Sequence, residues 1–146
     1  MIRAHAGRHA RDDQGQSMAV ELIAALPIFL AVLAAIIYVG RLTTTTSRVT
    51  DVAQAAARAA SLAANRGDGA QAAADMVRTS TLASSCRSLE APTVVVHDGP
   101  GGGWRGATVT VTVRCEVRNA DLASVWVPGS HTLSATDTQA VDGYRS

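Results

Sequence analysis

The stretch ELIAALPIFLAVLAAIIYVG, from Glu21 to Gly40, decides how the rest of the chain is organised. From Leu22 to Gly40 it carries no charged residue. Wound as a helix, that run rises roughly 28 Å, close to the hydrocarbon thickness of a bilayer. Two other readings compete with a membrane span. A buried core helix would need an apolar shell on every side, and the remaining chain is too small and too alanine-rich to supply one. A removable secretory signal has a shorter apolar region, about 7–15 residues, ending at a small-residue cleavage site. Ile37-Tyr38-Val39-Gly40-Arg41 makes a poor site of that kind. The segment reads as a retained anchor.

On the N-terminal side, residues Met1 to Gln16 are polar, with Arg3, His5, Arg8, His9 and Arg11 followed by Asp12 and Asp13. On the other side, Arg41, Arg48 and Arg58 follow the span closely, so the positive-inside bias is weak. A short leader left inside with the long portion exported is the easier assignment. Thr43-Thr44-Thr45-Thr46-Ser47 is a poor helix former by itself. Beyond it, Arg48 to Asn65 is mostly alanine, with Val49, Val52, Ala56, Ala59 and Ala63 on one helical stripe and Arg48, Asp51 and Arg58 on another face. Span and alanine stretch together predict one long helix ending near Asn65-Arg66-Gly67, with Gly67 as a left-handed cap. A second, shorter helix is predicted from Ala70 to about Ala83, turning Ala73, Met76, Val77 and Leu82 inward.

After Pro92 the period changes from helical spacing to two. Thr93 to His97 reads as a short strand. Ala107 to Val117 is the clearest strand: Ala107, Val109, Val111, Val113, Cys115 and Val117 fall on one face, Thr108, Thr110, Thr112, Arg114, Glu116 and Arg118 on the other. A sheet with one dry and one wet face is usually antiparallel. A further strand is predicted from His131 to Ala140, after the turn at Pro128-Gly129. With 146 residues, the chain has room for an anchor and one small domain. Aromatic residues make up only 3% of it, so the core must be built from alanine and valine, which bury little area each.

The remaining motifs are mostly structural. Thirteen basic residues, all arginine, are balanced by twelve acids and spread along the chain, which argues against a nucleic-acid surface. Gly101, Gly103 and Gly106 match GxGxxG formally, but a strand rather than a helix follows, so they read as a strand connection. Trp104 either covers the sheet edge or projects as a contact, and Trp126 poses the same choice. His97, Asp98 and His131 lack ligand spacing and a paired nucleophile, so no metal, cofactor or catalytic residue is expected and the protein reads as a non-enzyme. Cys86 and Cys115, too few for a structural zinc site, are either two buried thiols or one disulfide. A bridge would close about 30 residues and contribute roughly 3–4 kcal/mol.

The junction before the span carries the most functional information. Gly15, a few small or polar residues, Glu21, Leu22 and an apolar helix resemble the class III signal of type IV pilin-like proteins. A closer resemblance is to the TadE-like branch of the tight-adherence (Flp) pilus system. The residues that carry it are Glu21, Pro27, Tyr38, Gly40-Arg41 and the alanine-rich Ala53-to-Ala64, in that order. Gly129-Ser130-His131-Thr132-Leu133-Ser134-Ala135 and Val141-Asp142-Gly143-Tyr144-Arg145 are also similar to the family's closing segments. The resemblance implies cleavage by a prepilin peptidase between Gly15 and Gln16, with the anchor kept in the mature protein. It further implies that Glu21 pairs with the N-terminal amine of a neighbouring subunit. The family's glutamate usually stands fifth after the cut, whereas a cut after Gly15 places Glu21 sixth. Glu21 alternatively sits idle in the headgroup layer. Pro27 deletes one backbone hydrogen bond and is read as a kink, or as a point where the helix loosens during packing.

The expected fold is α+β: a long N-terminal transmembrane, pilin-like α-helix followed by a small head with a short helix and an antiparallel β-sheet. Residues 1–15 are the expected leader, 16–66 the long helix with its span at 22–40, and 67–146 the extracytoplasmic head. The resemblance implies a structural minor pseudopilin in the bacterial cytoplasmic membrane, single-pass, reaching the pilus or cell surface. Its partners would be the lipid bilayer, other pilin and pseudopilin subunits, the Tad assembly machinery and a prepilin peptidase, with no nucleic acid. The competing expectation is a single-pass protein whose extracytoplasmic head binds a ligand or partner without polymerising.

Overall fold

The computed structural model describes residues 9–123 and 127–142, with side chains from Glu21 onward. Helix α1 (His9–Ser61) is a single element of 53 residues, and Pro27 lies inside it. It therefore begins ahead of the expected start at residue 16 and stops short of 66. Helical dihedrals continue through the threonine run because each hydroxyl bonds to its own helix. Thr43, Thr44, Thr45, Thr46, Ser47 and Thr50 all donate to the carbonyl four residues back, at 2.5–3.1 Å. These bonds leave no hydroxyl donor to compete for an alternative turn, so the helices on either side impose their geometry.

The helix ends at Ser61, and Asn65 begins helix α2 (Arg66–Thr79) rather than ending α1. The Asn65 side chain accepts from the Asp68 backbone N–H at 3.0 Å, satisfying one of the free donors of the first turn. Gly67 is thus a first-turn residue of α2 and not a left-handed cap. The N-cap signal of Asn65 outweighs the C-cap signal of Gly67. Two short elements follow, helix α3 (Leu82–Ser85) and strand β1 (Ser88–Leu89). Of the four residues expected to face inward, Ala73, Val77 and Leu82 are buried and Met76 is exposed. Met76 lies one position before Val77, which turns it off the stripe by about 100°.

Strands β2 (Thr93–His97) and β3 (Thr108–Arg118) follow, then helix α4 (Asn119–Ala123) and strand β4 (Ser130–Ala140). Every pairing is antiparallel and β3 lies at the centre. β4 pairs with the whole of β3, from Thr108 opposite Ala140 to Arg118 opposite Ser130. β2 and β1 pair one after the other with the two ends of β3, Val94 opposite Val111 and Leu89 opposite Cys115. The alternation predicted for β3 holds at every position: Ala107, Val109, Val111, Val113, Cys115 and Val117 are all buried. On the opposite face, threonine pairs bridge the strands, Thr110 with Thr138 and Thr112 with Thr136, each at 2.9 Å.

The core lies between that dry face and the last third of α1. Val49, Ala53, Ala56, Ala57 and Ala60 are all fully buried and recur every three or four residues along the helix. Small side chains let the helix approach the valine-rich sheet closely, so dense packing is reached without large aromatics. In the loop between β2 and β3, Gly99 has no room for a side chain, and Gly102 and Gly106 hold a positive φ of 70°. A Cβ on Gly99 would lie 2.5 Å from the Arg105 carbonyl oxygen and 2.7 Å from the Gly106 carbonyl carbon, both backbone atoms that cannot swing away.

Candidate functional site

The surface that sets this chain apart is the stretch of α1 from Leu22 to Val39. Across Leu22 to Val39 the large apolar side chains stand in the open: Leu22 is 74% exposed and Phe29 65%. None of the apolar window of the helix is buried inside the protein. A soluble protein seldom leaves so continuous an apolar surface uncovered, and a helix hydrophobic all round is buried in something else. Length and composition suit a bilayer.

The elements of the expected site are strung along this helix and do not converge. Gly15 and Gln16 lie within the helical backbone. Glu21 opens the apolar run with its side chain exposed, and Pro27 follows six residues later without interrupting the helix. Arg41 closes the run at the other end, roughly 30 Å along the axis from Glu21. The acid and the first cation beyond the span thus mark opposite ends of the apolar cylinder.

At the Arg41 end the head comes down onto the helix. Tyr38 and Leu42 are partly buried against the core, and Arg41 Nη1 donates to the Asp121 carbonyl oxygen of α4 at 3.1 Å. No linker separates the apolar run from the head. Sequence reasoning missed this contact because α4, at five residues, is too short to show a helical period. Beyond it the helix becomes a core element, so one rigid rod joins the exposed surface to the packed domain.

Two further contacts lock the head onto that rod. Cys86, just after α3, is disulfide-bonded to Cys115 on the dry face of β3, tying the helical layer to the central strand. The bridged reading of the cysteines is therefore the correct one, and no free cysteine exists. Trp104 neither covers the sheet edge nor projects outward. Its Nε1 donates to the Ala63 carbonyl oxygen at 2.9 Å, in the turn that joins α1 to α2. Its ring lies over Gly69, where an added Cβ would meet Cζ2 and Cη2 of the indole at 3.3 and 2.9 Å. The Trp104–Gly69 pairing, separated by 35 residues and a change of element type, left no trace in the sequence pattern. Trp126 lies outside the described residues, as does the end of the closing segment from Gly143.

The head is otherwise chemically quiet. Its ion pairs, Arg66 with Asp98, Arg78 with Asp75, Arg114 with Glu90 and Arg118 with Asp121, join exposed partners and contribute at most about 1 kcal/mol each. His97 ends β2, Asp98 is engaged by Arg66, and His131 sits on β4 opposite Val117. Among the described residues, no group of three or more His, Cys, Asp or Glu side chains could hold a metal ion.

The family model described as TadE-like protein matches residues 17–58, which lie entirely within α1 and span both its exposed and its packed portions. This is the same family whose resemblance the sequence carries. No curated protein and no solved structure matches the chain.

Proposed function

We propose that this chain, TadE-like along its helix, is a structural minor pseudopilin of a Tad pilus assembly, anchored in the cytoplasmic membrane with its head outside. The carrying observation is a single 53-residue helix in which Leu22 to Val39 form an exposed apolar stretch while Val49 to Ser61 pack into the core of a folded head. A rod built this way transmits force and position from the membrane to the head without a hinge. The chain has no need of chemistry of its own: it acts by exchanging one apolar surrounding for another.

In this reading a prepilin peptidase removes residues 1–15, freeing Gln16 as the new N-terminus. Glu21, at the rim of the apolar run, then meets the N-terminal amine of a neighbouring subunit. Inside the bilayer the apolar half of α1 contacts lipid. On extraction by the assembly machinery it contacts sister helices, and Ala24, Ala31, Ala35 and Gly40 allow close approach of backbones. Pro27 leaves one carbonyl without its helical partner, the place where the helix deforms most easily during that exchange.

The test is made on protein from its native host. Intact-mass measurement is expected to show a chain starting at Gln16, and deletion of the gene is expected to reduce sheared surface filaments. A chain that retains residues 1–15 together with unchanged filament yield would favour an anchored binding protein instead.

A further inference from the structure

We propose that the cleft between α1 and the underside of the head binds the phosphate of an anionic phospholipid in the leaflet on which the head rests. The inference rests on the apolar run of α1, Leu22 to Val39, being seated in a bilayer. The cleft is open to solvent and offers about 470 Å³ at the level where the exposed apolar run gives out. One wall is a single face of α1, carrying Ile37, Arg41, Thr45 and Arg48. These recur at helical spacing and cover roughly 16 Å of the axis. Val117 and Leu122 of the head line the opposite wall.

Charge identifies the ligand class. Arg41 and Arg48 both face the cleft, and neither takes part in any of the four ion pairs among the described residues. Arg41 spends one N–H on the Asp121 carbonyl oxygen and keeps others free. The Arg48 side chain makes no hydrogen bond or ion pair among the described residues. Asp121, the one carboxylate on the cleft wall, is held by Arg118 at 3.1 Å. The nearby hydroxyls offer no competing donor, because Thr44, Thr45 and Ser85 already donate to backbone carbonyls. With Asp121 already engaged by Arg118, the two guanidiniums stand over the cleft without a carboxylate partner of their own, and guanidinium is the side chain best matched to phosphate oxygens.

Position selects a lipid over a free anion. Arg41 follows the last exposed apolar residue, Val39, by about 3 Å along the axis, and Arg48 by about 13 Å. Helical side chains lean toward the N-terminus, so both arginines reach back toward the membrane. Ile37, 43% exposed on the cleft wall, then continues the apolar surface from the acyl region up toward the phosphate. A zwitterionic lipid would bring its own cation against the two arginines, whereas an anionic headgroup matches their charge.

The experiment uses the full chain, extracted in detergent from membranes and examined by native mass spectrometry after exposure to equal amounts of phosphatidylglycerol and phosphatidylcholine. The wild type is expected to retain phosphatidylglycerol preferentially. Arg48→Gln, which disturbs no contact within the head, is expected to lower that preference roughly fivefold, and Arg41→Gln with Arg48→Gln by an order of magnitude or more. Arg58→Gln, about 28 Å beyond Val39, is expected to leave it unchanged. Equal retention of the two lipids by the wild type, or undiminished preference in Arg48→Gln, overturns the proposal. So does release of bound lipid by millimolar inorganic phosphate, which assigns the cleft to a free anion. A second copy of the chain displacing lipid from wild type but not from the double variant would overturn it in favour of a subunit contact. Alkaline extraction separates this from the anchor itself: a chain that stays with the membrane but lacks lipid preference retains its anchor and loses only the cleft assignment. One that washes off loses both.

Discussion

Leu22 to Val39 and Val49 to Ser61 belong to the same helix, share the same backbone geometry and are both rich in alanine, yet their surroundings are opposite. The first has large side chains, Leu, Ile, Phe and Val, standing clear of the protein all around the axis. The second buries only one stripe of small residues against valines of the sheet. The difference lies in side-chain size as much as in polarity. Small residues permit close approach to a sheet, while large ones on every side leave no face for a sheet to occupy. The helix is one object in two solvents, and each half tolerates a different set of changes.

The largest effect should come from the bond that closes the packed half. Replacing Cys115 with Ser is expected to cost the head about 3–4 kcal/mol in urea unfolding, with membrane retention of the chain unchanged. A head equally stable with and without reductant would show that the alanine–valine core alone suffices.

The next test strikes the other half. Ala31, exposed near the middle of the apolar run, changed to Arg is expected to raise the cost of insertion by about 2.5–3.5 kcal/mol, read as the fraction resisting alkaline extraction. Unfolding of the head should shift by less than about 0.5 kcal/mol. A large loss of head stability would mean that the two halves are not independent.

Chemically identical substitutions then separate the halves directly. Ala57→Leu, at a fully buried site, is expected to destabilise the head by about 1–3 kcal/mol through overpacking. Ala24→Leu, in the exposed half, should leave the thermal midpoint of the head in place. Equal effects would break the contrast. The smallest change concerns the turn above the core. Trp104→Phe, which loses the bond to the Ala63 carbonyl while keeping most of the ring over Gly69, is expected to cost about 1 kcal/mol.

Much of this was legible in one dimension because it is periodic. A charge-free run of bilayer length and the alternation from Ala107 to Val117 each report on their own solvent, residue by residue. The threonine run was a genuine ambiguity. Thr43 to Ser47 disfavour a helix in isolation, and only the strong elements on both sides carry the backbone through. Local end signals were less readable. Gly67 and Asn65 compete for the same boundary, and the choice fell to Asn65 because its side chain can bond the Asp68 N–H at the start of a new helix. β1 and α4 are too short to have a period at all. The candidate site followed the same rule: Glu21, Pro27 and Arg41 were visible as a linear series, whereas the cleft they lead to needs Leu122 and Val117 from more than seventy residues away.

By itself, then, the order of residues determined which segment seeks an apolar solvent, where helix gives way to strand, and which face of β3 is dry. Those are local balances between side chains and water. Tertiary structure alone decided that the two cysteines meet, that Trp104 turns back onto the α1–α2 turn, and that α4 sits on the helix just above the apolar run. Each of these depends on distant segments finding one another, and chain connectivity fixes no such distance until the sheet has packed against the helix.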